Sequence, residues 1–158
     1  MTERTQVSAH SPAGYRRVNA LDSYVEESLD TELMNFIYLR ASLINGCTYC
    51  VDAHSVDLAA GGTDPRRIYS VTTWRESEFY TERERAAFAL TEAVTLIADG
   101  GVDDAVWDAA AAVFDERELT DILLAIGTIN VWNRIAIATR MAVPALAADD
   151  DAEVDAAV

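Results

Sequence analysis

The sequence predicts an all-α fold. Apolar residues recur at spacings of three and four along the middle of the chain, no run of alternating β-branched residues interrupts them, and helix start and stop signals punctuate the breaks. At 158 residues the chain suits one core rather than two, since a chain near this length buries roughly two-thirds of its unfolded surface. A composition of 51% hydrophobic and 25% charged residues is close to the globular average, so this middle stretch has enough apolar surface to fold.

The elements follow in order. Residues 1–14 mix Thr, Ser, Pro, Gly and charge without periodicity and predict a flexible N-terminal tail. A first helix is expected near residues 21–29. A second spans about 31–44, where Leu33, Phe36, Ile37, Arg40 and Ile44 share helical spacing, and Asn45-Gly46 breaks it. A third starts at about Cys47 and stops at Gly61-Gly62. Asp64-Pro65 opens a short helix through Ser70. Thr81-Glu82-Arg83-Glu84 reads as a capping box for a long helix to about Ala98, closed by Asp99-Gly100-Gly101. Asp103 caps another through Phe114. Asp115 or Glu116 opens the last, which reaches about Met141 before Pro144 forbids continuation.

That last helix carries Ile122, Leu123, Ile126, Ile129, Ile135 and Ile137 on more than one side, which requires a place in the core or against another subunit. The folded domain is thus expected over residues 15–143, followed by an acidic flexible tail over 144–158. Trp74, Trp107 and Trp132 are expected as core or interface anchors. Arg40, on an apolar helix, is expected to pair with a carboxylate, and Asp52 and Asp57 to lie on solvated faces.

Charge narrows the function. The net charge is −15, from 27 acidic against 12 basic residues, all of the latter Arg. A polyanion needs a basic footprint, so neither nucleic acid nor an anionic membrane surface is an expected partner. The apolar stretch from Ile122 to Trp132 is short of the ~20 residues of a membrane span, and residues 1–14 carry no apolar signal core, so a cytoplasmic location is expected. Two cysteines in a reducing compartment point to catalysis or metal binding rather than a permanent bridge.

Both cysteines, and the histidine that lies outside the N-terminal tail, fall within eight residues: Cys47-Thr48-Tyr49-Cys50-Val51-Asp52-Ala53-His54. At ~100° per residue, Cys47, Cys50 and His54 project at about 0°, 300° and 340°, so one helix face can present all three. Thiols three residues apart can close a reversible disulfide, as a two-electron redox pair requires. A helix N-terminus favours the thiolate, which marks Cys47 as the more acidic thiol, and His54, one turn beyond Cys50, is placed to act as its general base. Zinc is a second reading of the same residues. Ligands at i, i+3 and i+7 of a rigid helix span about 10 Å of rise, awkward for tetrahedral closure, so no metal and no cofactor are expected.

These residues carry a resemblance. Leu39-Arg40-Ala41-Ser42 leading into Ile44-Asn45-Gly46-Cys47-Thr48-Tyr49-Cys50 with His54 after it resembles the carboxymuconolactone decarboxylase superfamily, and within it the alkyl hydroperoxidase D-like branch. Thr73-Trp74-Arg75-Glu76-Ser77, Thr81-Glu82-Arg83-Glu84-Arg85-Ala86 and Ile129-Asn130-Val131-Trp132-Asn133-Arg134 extend it over roughly residues 20–141. The resemblance implies a helical subunit in a symmetric homo-oligomer, a trimer or hexamer, and a thiol-dependent peroxidase for antioxidant defence. Its substrate would be a hydroperoxide and its reductant a dithiol protein or small thiol.

By that analogy Cys50 is the peroxidatic thiol, oxidised to a sulfenic acid, Cys47 resolves it as a disulfide, and His54 belongs to the proton relay. The outer relay member is usually a glutamate twelve residues before the first cysteine, and here that position is Asn35, which cannot shuttle a proton as a carboxylate does. Glu32, one turn earlier, is the candidate substitute. Leu43 stands where relatives often have glutamine, and Tyr49 where the alkyl hydroperoxidases have histidine, which makes Tyr49 a further relay candidate. The alternatives are a lactone-processing decarboxylase, for which paired thiols have no use, and a catalytically weakened oligomeric binding protein.

Overall fold

The computed structural model describes residues 2–145, and these contain eight α-helices and no strand. The helices are α1 (Val7–His10), α2 (Pro12–Ser28), α3 (Thr31–Asn45), α4 (Thr48–Ala60), α5 (Pro65–Tyr69), α6 (Glu82–Thr95), α7 (Asp104–Ala111) and α8 (Glu116–Thr139), with 3₁₀ turns at Ser70–Thr73 and Ile97–Asp99.

Most starts and stops have the expected chemistry. Asp30 caps α3 by accepting the Leu33 amide, and Asp64 caps α5 with Pro65 in its first turn. Thr81 with Glu84 and Asp115 with Glu118 form reciprocal capping boxes on α6 and α8. Asp103 precedes α7 without a side-chain cap, and that helix ends at Ala111, short of Phe114.

α3 is the centre of the bundle. Residues 33–39 are all buried, because α4, α6 and α8 pack around the helix, as a helix apolar on several sides demands. The larger core joins α2, α3, α6, α7 and α8 through Val25, Ile37, Leu90, Ala110, Ile122 and Ile126. A second core stacks Phe36, Phe88, Trp74 and Tyr80 under the 3₁₀ turn at Ser70–Thr73. Each fully buried Leu, Ile or Phe contributes about 1.5–3 kcal/mol of transfer free energy. By length and composition α8 could cross a membrane, with an 18-residue window of mean hydropathy 1.4. Here it is a core helix: Ile122, Ala125 and Ile126 are fully buried, and the buried Asn133 donates to Ser42.

Besides α7, and α6, which ends at Thr95 before a 3₁₀ turn instead of reaching Ala98, the two ends of the bundle differ from expectation. The first long helix starts at Pro12, not near Leu21, and residues 7–10 form a further helical turn. Part of the segment read as a tail through Gly14 is therefore helical, and Arg4 ties it to the end of α8, its amide donating to the Thr139 carbonyl at 2.8 Å. At the other end, α8 stops at Thr139, five residues before Pro144. Arg140 adopts a left-handed conformation (φ 58°), and the Met141 amide turns back to the Ala136 carbonyl. A C-terminal signal of this kind needs no proline. The expected acidic tail from Pro144 lies, except for residues 144–145, outside the described residues.

Candidate active site

The two cysteines are set by the turn between α3 and α4. Gly46 takes φ 73°, a conformation that a side chain would strain, and this reverses the chain after α3. The Cys47 amide then donates back to the Ser42 carbonyl at 3.0 Å. Asn45 fastens the turn to α8 by donating to Asn130 Oδ1 (3.0 Å) and Asn133 Oδ1 (2.8 Å), while Asn133 donates to Ser42 Oγ at 2.9 Å. Residues of three motif segments therefore converge on one polar seam beneath the thiols.

Cys47 is the N-cap of α4 rather than a member of its first turn, with φ −86° and ψ 95°. The helical-wheel angle for Cys47 does not apply, yet the two sulfurs still meet: Cys47 and Cys50 form a disulfide across a Cα–Cα distance of 5.4 Å. The Cys50 amide also donates to Cys47 Sγ at 3.3 Å, so the sulfur occupies the place a serine or aspartate oxygen takes at other helix starts. Both residues are buried.

His54 follows on α4, wedged against the edge of Tyr38 at 4.9 Å between ring centres. Burial strips water from the imidazole and holds its pKa down, at about 4 against an ordinary 6.5, so the ring is neutral near pH 7. Its Nδ1 lies 3.0 Å from Asn35 Oδ1, and Asn35 Nδ2 donates to the Thr31 carbonyl at 3.0 Å. The Thr31 bond fixes the amide orientation, Oδ1 is left to accept, and the network assigns the proton to His54 Nδ1. Nε2 then carries the lone pair. The exposed Asp57 carboxylate stands 3.8 Å from the same Nδ1.

Glu32 does not reach this cluster. It accepts from Thr63 Oγ1 and Arg67 Nη1, each at 2.7 Å, and Arg67 also binds Glu84. A substitute for the usual glutamate by a bend toward Glu32 is thus excluded by Glu32's own partners. Arg40 pairs with Glu92 at 2.7 Å, as expected of a guanidinium on an apolar helix, and Glu92 also accepts from Trp74 and Arg75. Those bonds hold the Glu92 carboxyl below its ordinary pKa, outweighing the rise that its burial brings.

A cavity of about 200 Å³ opens beside Cys50 and His54. Its walls are largely aromatic: Tyr15, Tyr38, Tyr49 and Trp132, with Met141 at one side and the Asp22 carboxylate at another. Asp22 accepts from Tyr38 Oη (2.6 Å) and Trp132 Nε1 (3.0 Å), and Trp132 meets Tyr15 edge to face. Burial and the Asp22 bond push the Tyr38 phenol well above its usual pKa. Tyr15, Asp22, Tyr38 and the pocket role of Trp132 were not among the expected site residues. A signal existed, because Tyr15, Val18, Asp22 and Val25 hold one register of α2, but a carboxylate in the middle of that stripe disguised it.

An all-helical domain with a cystine at a helix start, next to a neutral histidine in an aromatic pocket, defines a class of helical dithiol proteins. The chain belongs to the carboxymuconolactone decarboxylase family, whose sequence profile matches residues 12–93. It is 34% identical over 139 residues to the uncharacterised protein YdfG of Bacillus subtilis, covering 87% of this chain and 95% of that one. It is also 31% identical to the uncharacterised YnjA of Escherichia coli, covering 67% and 58% of the two chains. Among solved structures, it superposes with a TM-score of 0.89 and 40% identity on an Agrobacterium tumefaciens protein of unknown function, provisionally named antioxidant defence protein AhpD, over 92% of this chain and all of that one. The debrominase Bmp8 shares the fold at 22% identity and a TM-score of 0.75, over 87% of this chain and 74% of its own.

Proposed function

We propose that this protein is a thiol-dependent peroxidase that reduces a small organic hydroperoxide through Cys50 and Cys47. The observation that carries the reading is the placement of Cys50: it is joined to Cys47 in a disulfide and lines the same cavity as a neutral His54 whose Nε2 has no hydrogen-bond partner among the described residues. The provisional naming of the A. tumefaciens neighbour, itself of unknown function, as an antioxidant defence protein is consistent with it.

In this mechanism His54 Nε2 accepts the Cys50 thiol proton, directly or through a water. The thiolate attacks the terminal oxygen of the hydroperoxide, the O–O bond breaks, and the alkoxide leaves as the alcohol after taking that proton. Cys50 is now a sulfenic acid. Cys47 thiolate attacks Cys50 Sγ, hydroxide leaves as water, and the disulfide closes. Two electrons from an external thiol donor restore both thiols. At about 200 Å³ the cavity is smaller than the ~300–1,000 Å³ of drug-sized sites, and its aromatic lining favours a compact apolar group on the peroxide. Asn35 does not carry the proton. It holds His54 in the tautomer that accepts one.

The same reading includes a cytoplasmic location and a homo-oligomer, trimer or hexamer. It is tested by mixing the reduced protein with one equivalent of hydroperoxide. The expected result is loss of both free thiols, appearance of the Cys47–Cys50 linkage by mass analysis, and release of the alcohol. Cys50→Ser abolishes turnover, whereas Cys47→Ser leaves one slow round of oxidation and no disulfide. Steady-state peroxidase activity in Cys50→Ser would refute the assignment.

A further inference from the structure

The two cysteines of the disulfide line different cavities. Cys50 lines the aromatic cavity with His54 and Asp22, and Cys47 lines a second depression of about 330 Å³ with Arg4, Gly46, Thr48, Ile137 and Arg140. Tyr49 and Ala136 stand in both walls and form the partition. The charges on the two sides are opposite: the carboxylate of Asp22 on the Cys50 side, two guanidiniums and no carboxylate on the Cys47 side. Arg4 is held there by its bond to the Ala138 carbonyl (3.2 Å), and neither Arg4 nor Arg140 pairs with a carboxylate among the described residues. In a chain of net charge −15, the Cys47 side of the disulfide is thus locally positive among the described residues.

We propose that the Cys47 depression is the entry site of the reductant, and that the reductant is a small thiol carrying a carboxylate or similar anionic group. This deepens the peroxidase reading and rests on it. The anion lies between Arg4 and Arg140 and brings the reductant sulfur to Cys47. A reductant thiolate attacks Cys47 Sγ, the Cys47–Cys50 bond breaks, and its electron pair leaves on Cys50 Sγ. A second reductant thiol, its proton lost to water, attacks the reductant sulfur of the mixed disulfide and expels Cys47 as thiolate. The reductant departs as its own disulfide, having supplied two electrons. Oxidant and reductant thus reach the cysteine pair from two sides, the peroxide at reduced Cys50 and the thiol at oxidised Cys47.

The test reads the reductive half-reaction alone, without peroxide. Oxidised protein is mixed with 2-mercaptoethanesulfonate, 2-mercaptoethanol or cysteamine, quenched with an alkylating agent, and the remaining disulfide is measured by mass. Each rate is divided by the rate of the same thiol on a small uncharged disulfide, which removes intrinsic reactivity. The sulfonate is expected to exceed the neutral thiol about tenfold, with the ammonium thiol slowest. Arg4→Gln with Arg140→Gln is expected to bring the three within about twofold, as is 0.5 M salt. Arg140→Gln alone, which keeps the Arg4 tie to α8, is expected to remove about half of the preference on a logarithmic scale, and urea midpoints verify that each variant is folded. Equal normalised rates in the unaltered protein, or a ranking that survives the double substitution, would overturn the site. If the ranking holds but hydroperoxide fails to oxidise the thiols, the peroxidase reading fails and the thiol site stands. If oxidation proceeds and the ranking is flat, the reverse holds.

Discussion

The Nδ1 proton of His54 has one good acceptor, Asn35 Oδ1, and that single bond decides which face of the ring is basic. Asn35→Leu is therefore expected to slow Cys50 oxidation about tenfold, less than the ~10²–10⁴-fold that loss of the base itself would cost because His54 remains, and to destabilise the fold by about 1–3 kcal/mol through the buried donor it orphans. Stopped-flow oxidation and urea unfolding of the same variant separate the two effects. A second consequence concerns pH. The folded pKa of His54, about 4, lies below its unfolded value of 6.5, so between these values the unfolded chain binds more protons than the native one. The contribution of neutral His54 to stability is fully present above pH 6.5 and is lost as pH falls toward 4, a range of about 3 kcal/mol at most. His54→Gln is expected to flatten the slope of unfolding free energy against pH in that window; an unchanged slope would show that the imidazole is hydrated. At this scale the cysteines and His54 were legible because so few residues of their types exist in the chain. Asp22 was not, since a half-buried carboxylate that accepts from a phenol and an indole looks, in one dimension, like a solvated one.

Helix boundaries were legible wherever a side chain does the capping. Asp64-Pro65 and Thr81 with Glu84 act as their spacing implies, and of Asp115 and Glu116 it is Asp115 that caps α8. Thr81→Ala is expected to lose about 1 kcal/mol, read as a lower urea midpoint with an unchanged slope. A change in slope would mean that α6 loses structure beyond its cap. Where the backbone or a tertiary contact makes the boundary, the sequence is silent. Arg140 ends α8 in a left-handed conformation with no glycine to announce it. The start of α2 is different: Pro12 in its first turn is a local signal, like Pro65 in α5, but the Ser, Gly and charge around it read as a tail.

At the scale of the whole molecule, the central place of α3 and α8 accounts for most of their apolar surface but not all of it. Leu124 and Val131 are 37% and 41% exposed, and with Gly127 and Ala138 between and beyond them they form one stripe along the outside of α8. That stripe is where the proposed homo-oligomer would bury a second copy, since a chain of net charge −15 repels its neighbours unless apolar contact offsets the repulsion. The expected outcome is a mass in solution that is a multiple of 17.3 kDa, held more tightly as salt screens the charge. Val131→Arg with Leu124→Glu is expected to yield monomers without loss of helix content, because both side chains lie outside the two cores. Light scattering gives the mass and circular dichroism the helicity. A 17.3 kDa species before substitution, at any salt concentration, would leave the stripe without a partner and remove assembly from the account of this site.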